Sequence, residues 1–292
     1  MSLASLCVAP WAGSEVTGIS QSKERLARRL ASRRGRERTG LALAEGPEVI
    51  LEALRSEVEV RWLLLGEEYG SGARGREIAY AARERQVETV LATDSAVARL
   101  CSTEAPRAAL ACVVPPSLSP ASLARGRHLL AVGVQVPGNL GALVRSAWAL
   151  GLDGVAIGPG TVDPWNPKAV RASAGSVFHL PLLAPPPWVG DEVGGGASAA
   201  PRGGVNLLYA DATGAPPEEV AEAREPDWVL VVGNEGRGIA PRPCGAAPLV
   251  AVPLARGADS LNVAVAGSIL MYRLMQLSDP TRREPRREGP DR

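Results

Sequence analysis

Residues 128–136, HLLAVGVQV, are apolar at nearly every position. A half-exposed strand alternates apolar and polar residues, so an almost unbroken apolar run suits a strand covered on both faces, inside a parallel sheet. Such a strand needs helices on both sides and commits its surroundings to an α/β domain. The C-terminal half of the chain has that alternation. Its pattern predicts helices over 140–150, 166–174 and 261–277, and strands over 154–157, 177–180, 205–210, 228–233 and 249–253.

A second α/β pattern precedes it. Ser22 is placed to cap a helix from 23 to about 34, and a strand over 40–46 leads through Pro47 into a helix over 48–56. Strands over 60–65, 87–91 and 108–114, a helix over 75–86 and a short helix from Asp94 complete a small α/β layer, after which Pro115, Pro116 and Pro120 mark a linker. The 292 residues suffice for two domains of about 150 each. The expected organisation is a flexible lead-in (1–20), a smaller α/β domain (21–116), a linker (117–127), a larger α/β domain (128–279) and a disordered tail (280–292). A Gly/Ala/Pro-rich stretch, 190–204, reads as a mobile insertion.

Composition removes several classes. With 46% hydrophobic and 22% charged residues the chain is an ordinary globular protein, and with 4% aromatic residues its cores are filled by Leu, Val and Ala. Cys7, Cys101, Cys112 and Cys244 have no CxxC spacing and only His128 and His179 could join them, so no metal site is expected. No apolar run reaches the roughly 18 residues of a membrane helix and no secretory signal pattern is present, which predicts a cytoplasmic protein with reduced thiols. Net charge is +1, but residues 23–38 carry eight basic side chains against Glu24 and Glu37. That run suits either phosphate binding or a solvated helix face.

Three segments carry chemistry. In VQVPGNLGALVRSAWALGLDGVAIG the strand ends at Pro137, Asn139 is placed to cap a helix and Gly141 permits close approach. Arg145 stands there among Leu143, Val144, Ala147 and Trp148, where a buried guanidinium needs an anionic partner. That partner is an RNA phosphate or a developing alkoxide in a functional reading, and an acidic side chain or solvent in a structural one. In VLVVGNEGRGI an apolar strand runs into Gly233, Asn234, Glu235, Gly236, Arg237 and Gly238, a turn that fits neither GxGxxG nor the phosphate loop GxxxxGK[ST] and that an ordinary strand exit explains equally well. In VPLARGADSLNVAVAGSILMYRL, Ser260 and Asn262 mark a helix start, by capping or by function, and Ala264, Ala266 and Gly267 form a small-residue face.

In this order and near these separations, the three segments resemble the signature motifs of the SpoU (TrmH) family of the SPOUT superfamily, over about 129–274. Between them, VDPWNPKAVRASAGSVFHLP resembles the family's segment around a Pro-Lys pair and a Ser-Ala-Gly turn, with Pro167, Lys168, Arg171, Ser173 and Gly175 in place. GLALAEGPEVILEAL, behind the basic helix, is similar to the start of the L30e-type RNA-binding domain that many members carry. The resemblance implies an RNA 2′-O-ribose methyltransferase whose C-terminal domain is tied in a trefoil knot, an exception to the rule that chains do not thread themselves. It implies S-adenosyl-L-methionine held by Gly233, Asn234, Glu235, Gly236, Val252, Leu254 and Leu261, mostly through backbone groups, with Leu254 in place of a frequent Met. By family position the catalytic set is Asn139, Arg145, Glu235, Ser260 and Asn262, with Val136 where many members have Asp. Arg33, Arg34, Arg38, Lys168 and Arg171 are the expected RNA-binding side chains, and a homodimer through the knotted domain is expected. The substrate is expected to be 23S ribosomal RNA, the alternatives being transfer RNA or a knotted RNA-binding protein without activity. A dehydrogenase is disfavoured by the missing GxGxxG, and a Ser/His hydrolase by histidines in structural settings.

Overall fold

The computed structural model describes residues 18–103, 105–120, 122–185, 189, 206–234, 238–239, 248–255 and 258–279. Residues 1–17 of the flexible lead-in expected over 1–20, the mobile insertion expected over 190–204 and the disordered tail expected over 280–292 lie outside these residues.

In the first half, the elements are α1 (Gln21–Leu30), α2 (Arg33–Thr39), β1 (Ala42–Glu45), α3 (Pro47–Arg55), β2 (Glu59–Gly66), α4 (Glu67–Ser71), α5 (Ala73–Glu84), β3 (Glu88–Ala92), α6 (Asp94–Ala98) and β4 (Ala109–Val114). Then follow β5 (Arg127–Ala131), α7 (Pro137–Leu150), β6 (Gly154–Ile157), α8 (Pro167–Ala172), β7 (Leu182–Leu183), β8 (Leu207–Ala215), β9 (Trp228–Val232), β10 (Leu249–Val250) and α9 (Val263–Ser278). The chain divides into two compact units. Unit 1 comprises Met1–Leu118, Val136–Arg145 and Val162–Leu182; unit 2 comprises Ser119–Gln135, Ser146–Thr161 and Leu183–Arg292. Among the described residues no helix is long and apolar enough to cross a membrane.

Unit 1 is built on a four-stranded sheet, β1-β4-β2-β3, in which β4 runs antiparallel to both neighbours and β2 pairs β3 in parallel. Leu43, Leu64, Leu110 and Cys112 from the strands pack with Leu30 of α1 and Val97 of α6. The single helix expected over 23–34 is two helices. Ser20, not Ser22, caps α1, its Oγ accepting from the Lys23 amide, and Ser32 opens α2 by accepting from the Gly35 amide at 3.1 Å. A good capping residue in mid-run restarts the helix. Arg36 then folds back and donates to the carbonyls of Leu30 and Ala31 at 2.8 and 3.2 Å, which gives the end of α1 the partners it lacks.

Residues 162–182 pack against this layer. Arg36 is 5% exposed and its Nε reaches Asp163 Oδ2 at 2.7 Å. Arg171 meets Glu45 at 3.0 Å, and His179 Nε2 lies 2.9 Å from Glu52 Oε2. His179 is thus structural, as its sequence setting suggests, but the strand expected at 177–180 is a 3₁₀ turn, Ser176–Phe178. Ala174 (φ 50°) and Gly175 (φ 87°) reverse the chain just before it, and an apolar run alone does not distinguish a buried turn from a buried strand.

Unit 2 contains a sheet of order β10-β8-β9-β5-β6-β7. β5 lies parallel between β9 and β6, and β8 runs parallel to β9 and β10. The strands β6 and β9 are buried at every position, and β5 at all but Arg127. The apolar run expected as strand to residue 136 leaves the ladder at Ala131. Its carbonyl accepts from the Gly158 amide (2.7 Å) and Thr161 Oγ1 (2.8 Å), and Gly133 turns the chain with a φ of 69°. His128 is buried, with Nε2 2.8 Å from the Arg125 carbonyl, a structural role again. The Trp228 indole donates to Ser278 Oγ at 3.1 Å and so ties β9 to the end of α9.

Candidate active site

The apolar strand β9 ends at Gly233, where a Cβ would stand 2.4 Å from Ile239 Cγ1 and 2.6 Å from the Gly238 backbone. Only glycine fits. Asn234 and Gly238 exchange two backbone hydrogen bonds, 3.0 and 2.9 Å, and Asn234 Nδ2 donates to the Gly133 carbonyl at 3.0 Å. The loop is therefore closed at its neck and anchored beside the exit of β5. Glu235, Gly236 and Arg237, within the loop, lie outside the described residues.

Next to this neck, within unit 2, is a cleft of about 280 Å³. Gly233, Asn234, Val252, Leu254, Ser260 and Leu261 line it. Every described residue expected to hold the cofactor is thus brought to one place, and Ser260 joins them. Asn262 does not line the cleft. It caps α9, its Oδ1 accepting from the amides of Ala264 (2.9 Å) and Val265 (3.3 Å). This settles which of the two polar residues starts the helix, and it leaves Ser260 without a capping role. Ala266 and Gly267, read in the sequence as a packing face, line the cleft instead, where short side chains keep it open. Asp211 was missed. It follows the apolar half of β8, lines the cleft with Ala210 and Ala212, and its Oδ1 accepts from the Thr213 amide (2.9 Å) and hydroxyl (2.7 Å). The D-x-T spacing behind LLY carried that signal, an Asx-type contact within β8, where the strand turns from apolar to polar.

The remaining expected site residues belong to unit 1. Helix α7 begins at Pro137, so Asn139 lies in its first turn and does not cap it; its amide donates to the Val136 carbonyl at 3.0 Å. A Cβ at Gly141 would meet the Ala169 carbonyl at 2.4 Å, which makes this glycine the point where α7 crosses α8. Arg145 is exposed, while Leu143, Val144 and Ala147 are buried. The expectation of a guanidinium withdrawn from water is therefore overturned: α7 has one apolar face, and Arg145 and Trp148, a helical i,i+3 pair, stand on the other. No ion pair engages Arg145 among the described residues.

Of the expected RNA-binding residues, Arg34, Arg38 and Lys168 are exposed, and Arg33 shares an exposed pair with Glu37 at 2.7 Å. Arg171 is engaged, donating to Glu45 Oε2 (3.0 Å) and Ser102 Oγ (3.3 Å). Burial, helped by the Glu45 carboxylate, pushes the Cys101 thiol up to about 12, and burial does the same to Cys112. Neither is a nucleophile at neutral pH.

Residues 126–272 match the model of the SpoU rRNA methylase family, and residues 23–111 match that of the MRM3-like substrate binding domain. The chain is 33% identical over 254 residues to the 23S rRNA (guanosine(2553)-2′-O)-methyltransferase RlmP of Bacillus subtilis, covering 85% of this chain and 93% of that one. Among solved structures it resembles the S-adenosylmethionine-bound SpoU methyltransferase AviRb of Streptomyces viridochromogenes, with a TM-score of 0.70, 25% identity, and coverage of 88% of this chain and 98% of the other. It shares its fold with an S-adenosylmethionine-bound rRNA methyltransferase of Sinorhizobium meliloti, with a TM-score of 0.72, 23% identity, and coverage of 89% and 97%.

Proposed function

Because the chain belongs to the SpoU rRNA methylase family, we propose that it transfers the methyl group of S-adenosylmethionine to a ribose 2′-hydroxyl of 23S ribosomal RNA. The observation that carries this reading is the cleft of unit 2, where Gly233, Asn234, Val252, Leu254 and Leu261 converge. The cleft suits the cofactor. A glycine that tolerates no Cβ brings backbone close, and the cleft is lined mainly by apolar residues with, among the described residues, one carboxylate, Asp211, the mix of apolar walls and few polar groups that small-ligand sites have.

Bound there, S-adenosylmethionine supplies a methyl group on a positively charged sulfur. The protein's part is orientation and charge. Asn234 and Gly238 are held together by two backbone hydrogen bonds on either side of Glu235, and Asn262 fixes the start of the helix behind the cleft. In this proposal Arg145 holds the phosphate beside the target ribose and stabilises the negative charge that grows on its 2′-oxygen. A guanidinium donates hydrogen bonds but is not a general base at neutral pH, so the hydroxyl proton passes to phosphate or water. Asn139, Glu235 and Ser260 complete the proposed catalytic set by family position. Arg33, Arg34, Arg38 and Lys168 grip the RNA by its phosphates.

A trefoil knot and a homodimer belong to the same proposal. The knot is supported by family membership, and the dimer by an apolar stripe of unit 2 left exposed among the described residues. Val265, Ile269 and Tyr272 stand exposed on one side of α9, with Leu261 just before it.

The test incubates the protein with tritiated S-adenosylmethionine and unmodified 23S rRNA or transfer RNA transcripts, comparing wild type with Arg145→Ala. Ribose label on 23S rRNA, reduced at least about 100-fold in the variant at unchanged cofactor affinity, is the expected result. Label on transfer RNA alone overturns the choice of substrate. Cofactor binding with no label on any RNA overturns the activity.

A further inference from the structure

Unit 1 holds a cleft of its own, of about 400 Å³, within the roughly 300–1,000 Å³ of small-ligand sites. It is lined by the end of β1, the turn into α3, residues from the 101–107 segment, and Arg171 with Ala174. Nothing in the transfer reaction uses it. Its walls are chemically uneven in an informative way. Glu45 is a carboxylate only 2% exposed. Its Oε2 is saturated by Ser102 and Arg171, whereas Oε1 accepts only the Ser102 amide, at 3.1 Å, among the described residues. A second acceptor position on a buried carboxylate oxygen therefore stays open. Arg107 lines the same cleft, is exposed, and donates no side-chain hydrogen bond among the described residues. Pro47, Val49, Ala105 and Ala174 supply apolar surface between them.

A buried acceptor, apolar walls and an unengaged guanidinium are the complement of one nucleotide: a base edge bearing N–H donors, a flat face and a phosphate. Sequence-reading RNA sites take such nucleotides from loops and bulges, where bases are free to splay out. We propose that this cleft binds a single unstacked nucleotide of the RNA substrate, with a base N–H donated to Glu45 and the phosphate held by Arg107. The inference rests on the RNA-methylating reading above. It adds a base-reading pocket to a region whose other basic residues, Arg33, Arg34 and Arg38, meet only phosphate. Arg171 takes part by positioning Glu45.

The test is filter binding of an unmodified 23S rRNA transcript to the full chain over a salt series, for wild type, Arg107→Ala and Ala105→Trp. Each phosphate contact contributes about 0.7–0.9 to the slope of log K against log salt, so Arg107→Ala is expected to flatten the slope by about that much. Ala105→Trp fills the cleft without changing charge and is expected to weaken binding about tenfold at an unchanged slope. Both variants should keep wild-type cofactor affinity and thermal melting. The site is overturned if Arg107→Ala leaves the slope unchanged, or if a folded Ala105→Trp binds as wild type does; should Ala105→Trp melt early, the Arg107→Ala slope alone decides. Wild type that neither binds nor labels RNA brings down the underlying function, whereas methylation with unaltered slopes brings down only this pocket.

Discussion

Replacing Arg36 with Ala removes a side chain that the sequence places in a basic surface run and the structure places inside unit 1. Loss of one partner from a buried ion pair costs about 3–5 kcal/mol. Two features set the value here. Asp163 keeps the Trp165 amide on Oδ1 at 2.9 Å and is 14% exposed, so water partly replaces the guanidinium and the ion-pair loss lies near the lower end. Against that, the buried carbonyl of Leu30 loses its donor, which adds about 1 kcal/mol. The expected loss is about 4 kcal/mol, a large share of the roughly 5–15 kcal/mol that holds a domain folded. At a urea dependence of about 2 kcal/mol per molar, the unfolding midpoint falls by about 2 M. The assay is urea unfolding of the full chain, with amide exchange in α1 and β1 to locate the loss. Arg34→Ala, its exposed neighbour, serves as the control and should change stability by less than about 0.5 kcal/mol. A midpoint shift under about 0.5 M for Arg36→Ala refutes the pairing argument. A flattened salt dependence of RNA binding in that variant refutes the claim that Arg36 is structural.

Three further outcomes are expected. Gly233→Ala drives a methyl into Ile239 and the Gly238 backbone, and should abolish S-adenosylmethionine binding in calorimetry while the circular dichroism of the chain stays near wild type. Because burial raises Cys101 and Cys112 to about 12, their thiolates are scarce at pH 8; peptide mapping after brief alkylation should find both unlabelled in the native chain and labelled in urea. Val265→Asp with Ile269→Asp places two carboxylates in the exposed stripe of α9 and should shift sedimentation from dimer to monomer. An unchanged sedimentation coefficient removes this stripe from the interface.

The α/β class was legible because strands buried on both faces leave unbroken apolar runs, as in LLA of β5 and WVLVV of β9. Ends were not, because they depend on particular hydrogen bonds. β5 stops where the Ala131 carbonyl takes two partners from the 158–161 turn, and α1 stops where Ser32 and Arg36 cap and restart the chain. That Gly233, Asn234, Val252, Leu254 and Leu261 gather at one cleft was legible only because three motifs were read together; no single one would have distinguished it from a common turn. Asp211 was not legible because the apolar pattern ends the strand at 210, whereas β8 continues through Asp211 to Ala215. Arg145 shows a limit of reading helices by composition. Apolar neighbours in sequence suggested burial, but on a helix they occupy a different face.

The ties from the first layer of unit 1 to residues 162–182 have a consequence during synthesis. Arg36, Glu45 and Glu52 meet partners 127, 126 and 127 positions downstream. At about 5–20 residues per second, a ribosome delivers those partners about 6–25 s after the first three have been made. Until then Arg36 and Glu45 lack the acid–base partners they have in the complete chain, and a fragment ending at Leu118 would lack them permanently. Completion of these three pairs is thus timed by translation of the segment 162–182, inside the region that matches the methylase family.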